Sequence, residues 1–125
     1  MNIPLEDNTI CVIQKVIQYY NIQVSNESII EFLKSHPNYP SFKSICDAFN
    51  NWKIEHYPLR YNRKELRELQ SPYIAHLNEN GGLLVFVTKV WEGHVICYYT
   101  HRNPKKSLLT ISLKMFWVNY ITVSR

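Results

Sequence analysis

Three cysteines and five histidines supply the residue types from which a thiol nucleophile or a metal centre is built. A cysteine nucleophile needs a base within hydrogen-bond reach and a local field that lowers the thiol pKa, often that of a helix N-terminus. Cys11 lies near the start of the first expected helix, but a turn inside it, among Ile10, Val12 and Ile13. That setting reads as a buried, inert thiol. Cys46 falls on the apolar stripe of a later helix and Cys97 stands between Ile96 and Tyr98 in an expected strand, so both read as small core residues. The histidines, His36, His56, His76, His94 and His101, are scattered, and none stands at a metal-ligand spacing from another His or Cys. His36 precedes a proline and is expected to bond backbone at a turn, while His94 is expected to be exposed after a turn. No pair of carboxylates is placed for acid–base work, and three glycines make no phosphate-binding loop. The expectation is therefore no metal and no cofactor.

Two further groups of residues bear on binding. Nine tyrosines are present, and Tyr39, Tyr57, Tyr61, Tyr73, Tyr98 and Tyr99 fall in expected loops and strands. Such rings stack nucleic-acid bases, line a peptide groove, or simply fill the half-buried face of a sheet, and composition leaves the three readings open. The net charge of +4 gathers in Arg60, Arg63, Lys64 and Arg67 and in Arg102, Lys105 and Lys106. These read as a solvated face and a solvated turn, with nucleic-acid binding the less favoured alternative.

The elements that must hold these residues come from periodicity and punctuation. Asp7, Asn8 and Thr9 are N-cap candidates for a first helix whose apolar face is Ile10, Ile13, Val16, Ile17 and Tyr20, and Asn21 ends it. Ser25 caps a second helix with Ile29, Ile30, Phe32 and Leu33 on its buried face. Pro37 and Pro40 forbid helix in the stretch between. Ser41 caps a third helix bearing Phe42, Ile45, Cys46 and Phe49. The second half reads as strands over Lys53–Arg60, Tyr73–Leu77, Leu83–Trp91, His94–Tyr99 and Tyr120–Val123. A small helix is expected at Arg63–Leu69, turns at Asn80-Gly81-Gly82, Glu92-Gly93 and Pro104–Ser107, and one helical turn at Ser112–Trp117. Three helices followed by a mostly antiparallel sheet give an α+β class, and 125 residues without a linker give one domain over 1–125.

The block His36-Pro37-Asn38-Tyr39-Pro40-Ser41-Phe42-Lys43-Ser44-Ile45 resembles a hallmark of the cysteine peptidase domains of ABC transporters that export double-glycine-leader peptides. Ser71-Pro72-Tyr73-Ile74-Ala75-His76-Leu77, Leu84-Val85-Phe86-Val87-Thr88-Lys89-Val90, Gln18-Tyr19-Tyr20-Asn21-Ile22 and Phe116-Trp117 follow in the order of that family, over nearly the whole chain. The likeness is closest to degenerate Bacteroidetes-type copies associated with vitamin K epoxide reductase-like membrane proteins. It implies a papain-like fold, a Cys within Asp-Cys-Gly at the start of the first helix, an upstream Gln for the oxyanion hole, a His beginning a central strand and an Asp on the next strand. Counted from Tyr19-Tyr20-Asn21, the Asp-Cys-Gly positions hold Asp7, Asn8 and Thr9, so Asn8 stands for the nucleophile. The Gln position falls near Asn2, the His position on Gly82 or Leu83, and the Asp position near Tyr99 or Thr100. An amide does not attack a carbonyl as a thiolate does, and loss of nucleophile and base together leaves no catalytic triad.

The expectation is thus a non-catalytic domain that binds a leader or substrate peptide for a membrane transporter or a reductase-like partner. Asn8, Thr9 and Gly82 would border its groove, with Tyr39 and Tyr57 as further contacts. Asn8 would cap the first helix, facing the strand of Gly82 and Leu83, for about 1 kcal/mol. An active peptidase using Cys11, about 60° round the helix from residue 8, is the rival. Three unpaired cysteines, no visible signal peptide and no apolar run of roughly 18 residues suggest a cytosolic setting, or the cytoplasmic face of the inner membrane.

Overall fold

The structure, a computed structural model, describes residues 5–60, 72–77, 84–91, 94–98, 108–112 and 116–123. Three helices come first: α1 (Leu5–Tyr19), α2 (Asn26–Ser35) and α3 (Phe42–Asn51). Six strands follow: β1 (His56–Arg60), β2 (Tyr73–Leu77), β3 (Leu84–Trp91), β4 (His94–Tyr98), β5 (Leu108–Ser112) and β6 (Phe116–Val123). They form one antiparallel sheet in the order β1-β6-β2-β3-β4-β5.

Local chemistry sets the helix boundaries. Ser25 and Ser41 have extended backbones and accept hydrogen bonds from the N–H groups of Ser28 and Ser44, satisfying donors that the first helical turn leaves open. Asn21 and Lys53 take positive φ, 53° and 58°, just beyond α1 and α3. Behind each, the next N–H reaches back five residues, Ile22 to the Ile17 carbonyl and Ile54 to that of Phe49. These are Schellman ends, which turn the chain while occupying the last carbonyls. Lys53 therefore finishes α3 and does not open a strand, and β1 begins at His56.

Other expectations are corrected. Helix α1 begins at Leu5, so Asn8 and Thr9 lie inside it and do not cap it. On α2, Ile29 and Leu33 are buried one turn apart, whereas Ile30, rotated about 100° from Ile29, is 37% exposed. Where one helical turn is expected over Ser112–Trp117, Ser112 ends β5, which pairs with β4, and Phe116 and Trp117 begin β6, with 113–115 outside the described residues. The small helix at 63–69 and the turns at 80–82, 92–93 and 104–107 lie outside the described residues.

One core joins the layers. Ile10, Ile13, Val16 and Ile17 of α1 pack with Ile29, Leu33, Ile45, Ala48 and Phe49 of the other helices and with Ile74, Leu84, Phe86 and Ile121 of the sheet. Alternate residues of a strand point to opposite faces, yet Tyr73, Ala75, Val85 and Val87 are buried too, so β2 and β3 are covered on both sides. Pro58 sits on edge strand β1, where its missing N–H costs the ladder least.

Candidate functional site

The start of α1 meets the start of β3. Asn8 is completely buried (0% exposed) and its carboxamide is bonded twice to one residue. Its Oδ1 accepts from the Leu84 N–H at 2.8 Å and its Nδ2 donates to the Leu84 carbonyl at 2.9 Å. The N–H and C=O of an extended residue point to the same side, and a carboxamide offers one acceptor and one donor in one plane. The match is that of a ladder rung made by a side chain. Leu84 is the first residue of β3, and the pairing of β3 with β4 starts two residues on, at Phe86↔Tyr98.

Asn8 thus acts as a clasp between α1 and the first residue of β3 and not as a helix cap. Thr9 is buried beside it in sequence, so neither side chain offers surface to a ligand in this structure. Cys11, one turn on, is 7% exposed within the α1 core face. Asn2, Gly82, Leu83, Tyr99 and Thr100 lie outside the described residues.

The tyrosine candidates are dispersed. Tyr39 is half-buried and packs against the helical core. Tyr57 is 48% exposed on edge strand β1 and donates its hydroxyl proton to the Glu55 carboxylate, a bond that holds its pKa above the usual phenol range. In the sheet order β1 stands three strands from β3, about 14 Å at ordinary strand spacing, so Tyr57 is not brought to the Asn8 clasp.

A second polar cluster ties the proline-containing turn to α3. The Nδ1 of His36 accepts from the Asn38 N–H at 3.0 Å, the backbone bond expected of it. The ring proton therefore sits on Nε2, which donates to Asp47 at 2.7 Å. Lys43, one turn before Asp47 on α3, adds a bond at 3.2 Å. The bond from His36, then that from Lys43, holds the Asp47 carboxyl below the usual carboxylate range. With both nitrogens engaged, the imidazole has none left to take a proton from a nucleophile, so this pair positions the turn. Sequence reading missed the Asp47 partner because the two residues are eleven apart across a turn of irregular backbone.

The remaining candidates read as structure. Burial, and then neighbouring Asp47, raises the Cys46 thiol, the opposite of what a nucleophile requires. The Nδ1 of His56 donates to the Ile54 carbonyl at 2.9 Å while its ring packs on Phe49. Arg60 ends β1, and the other residues of both basic patches fall outside the described ones. Among the described residues no three His, Cys, Asp or Glu side chains come together to hold a metal ion, and no helix is long and apolar enough to cross a membrane.

Comparison with known proteins places these features in a family. The sequence profile described as the Peptidase C39 family matches residues 3–124. A comparison with curated proteins finds no match. Among solved structures, the peptidase domain of Streptococcus ComA, a bi-functional ABC transporter of a quorum-sensing pathway, is 15% identical with a TM-score of 0.76, covering 98% of this chain and 94% of that one. A double-glycine-motif protease from an AMS/PCAT transporter, solved in complex with the leader peptide, is 16% identical with a TM-score of 0.77, covering 98% of this chain and 87% of that one. The N-terminal peptidase C39-like domain of the toxin-secretion ATP-binding protein of Vibrio parahaemolyticus is 16% identical with a TM-score of 0.71, covering 98% and 99%. At these identities the likeness is one of fold.

Proposed function

We propose that this chain, which belongs to the peptidase C39 family, is a peptide-binding domain without peptidase activity, holding a leader or substrate peptide for a membrane transport or maturation system. The observation that carries this reading is the Asn8 clasp. The resemblance puts the nucleophile at residue 8, where the chain has a carboxamide. An amide has no acidic proton to give a base and no thiolate to form an acyl intermediate. Its oxygen and nitrogen are both committed to Leu84, and its burial leaves no approach for a scissile carbonyl.

The fold supports peptide binding by a different route. A structure of the same fold holds a leader peptide. In this chain a docked peptide would lie over the α1–β3 junction, with Asn8 and Thr9 as the buried wall beneath it. Two kinds of membrane partner fit such a module: a peptide transporter, and the vitamin K epoxide reductase-like proteins with which the degenerate copies it resembles are associated. Either would hold it at the cytoplasmic face of a membrane.

The test uses double-glycine leader peptides, with products followed by mass spectrometry and binding by NMR. The expected result is no cleavage by the wild type or by Asn8→Cys, which restores a thiol but no base, together with amide shifts in α1 and β3. Cleavage abolished by Cys11→Ala would overturn the reading in favour of an active peptidase.

A further inference from the structure

A groove of about 430 Å³ opens on the helical layer, lined by no residue of α1 or β3. Its size lies within the range of about 300–1,000 Å³ of small-ligand sites. The segment before α2, one face of α2 and the end of α3 line it. Glu31, Phe32, Trp52 and Asn51 give it its chemistry, with the hydroxyls of Ser28 and Ser35 on the rim.

Two features there select for charge. Glu31 is exposed and is the one ionisable side chain among the lining residues. Phe32 and Trp52 are half-buried and both line the groove, their ring centroids 5.9 Å apart in an edge-to-face arrangement. Aromatic faces carry negative charge density and attract cations. The opposing feature, the positive N-terminal pole of α2, is answered by its Ser25 cap and by Glu27 in its first turn. An isolated carboxylate beside two aromatic rings, with no lysine or arginine lining the site, suits a cation of planar or methylene character.

We infer that this groove binds a basic side chain, an arginine or lysine of a partner peptide, with Glu31 pairing the charge and Trp52 and Phe32 stacking on it. The site stands apart from the peptide-binding reading of the α1–β3 junction and does not depend on it. A partner that engaged both places would be held at two points, so a basic residue outside the junction would add to its affinity.

The probes are two short capped peptides, Ala-Arg-Ala and its citrulline counterpart, which keeps the shape of arginine and removes its charge. The readout is the Trp52 indole N–H in a two-dimensional NMR spectrum, assigned by its loss in Trp52→Phe. The expected result is a saturable shift with the arginine peptide and none with citrulline. Glu31→Gln, a surface change, should weaken binding about two- to fivefold, the range of an exposed ion pair. Equal shifts with both peptides, binding unaffected by Glu31→Gln, or shifts confined to the Lys43–Asp47 region would overturn the assignment.

Discussion

At the scale of the residue, the Asn8 carboxamide satisfies two backbone groups that would otherwise be stranded where β3 begins. A buried N–H or C=O left without a partner costs about 1–3 kcal/mol. Asn8→Ala removes both partners of Leu84 at once, so we expect a loss of about 2–4 kcal/mol of stability, measured as a shift of the urea midpoint at unchanged slope. Asn8→Asp separates geometry from charge. The carboxylate still accepts from the Leu84 N–H but faces the Leu84 carbonyl oxygen, so its neutral form is the one the folded state prefers. Its folded pKa is raised above the unfolded value, and the stabilising neutral form is lost as pH rises. This variant should be markedly less stable than wild type at neutral pH and should recover on acidification; urea midpoints that keep a constant gap from pH 4 to 7 would show that the clasp does not donate to Leu84. The resemblance marked residue 8 out from the sequence alone. Its use was not legible there, because the partner is 76 positions away and is a backbone group, which every residue carries.

At the scale of the element, the turn between α2 and α3 is held by side chains because prolines deny it a regular ladder. His36 bonds the Asn38 N–H within the turn and Asp47 across to α3, and Lys43 joins from the same helix. The Asp47 carboxyl is held low by these bonds, His36 foremost. A depressed folded pKa means that the contribution is fully present above the unfolded carboxylate value, about 4, and is lost as pH falls through the folded one. Comparison of wild type with Asp47→Asn by urea unfolding should therefore show a gap at neutral pH that closes below about pH 4. A gap that stayed constant into strong acid would assign the effect of Asp47 to packing alone.

At the scale of the whole molecule, the helical layer and the sheet share one core, with β3 at their contact. Phe86 is buried under α1, its ring edge-to-face with Tyr19 at 5.2 Å and close to Tyr20. Phe86→Ala should cost about 3–5 kcal/mol. It should move the helical and aromatic circular-dichroism transitions together, because neither layer has a separate core to keep it folded. Transitions that split would mean that the helices fold without the sheet. The same architecture explains why the peptide-binding reading rests on the α1–β3 junction: two layers approach there at the ends of their elements, where side chains and not regular ladders complete the backbone bonding.

The sequence alone determined the three helices, the caps Ser25 and Ser41, the left-handed stop at Asn21, and strands β2 and β3, because each rests on groups within a few residues of one another. It also carried the family likeness, through short motifs that stand in the order of that family. The tertiary structure decided the rest. β6, last in the chain, lies between β1 and β2, and Leu108–Ser112 becomes an edge strand through pairing with β4. Helix α1 starts early enough to put Asn8 inside it, and its amide then meets the first residue of β3. Strand pairing and burial are contacts between distant segments whose free energy appears only once the chain has closed on itself, so no local pattern of residues announces them.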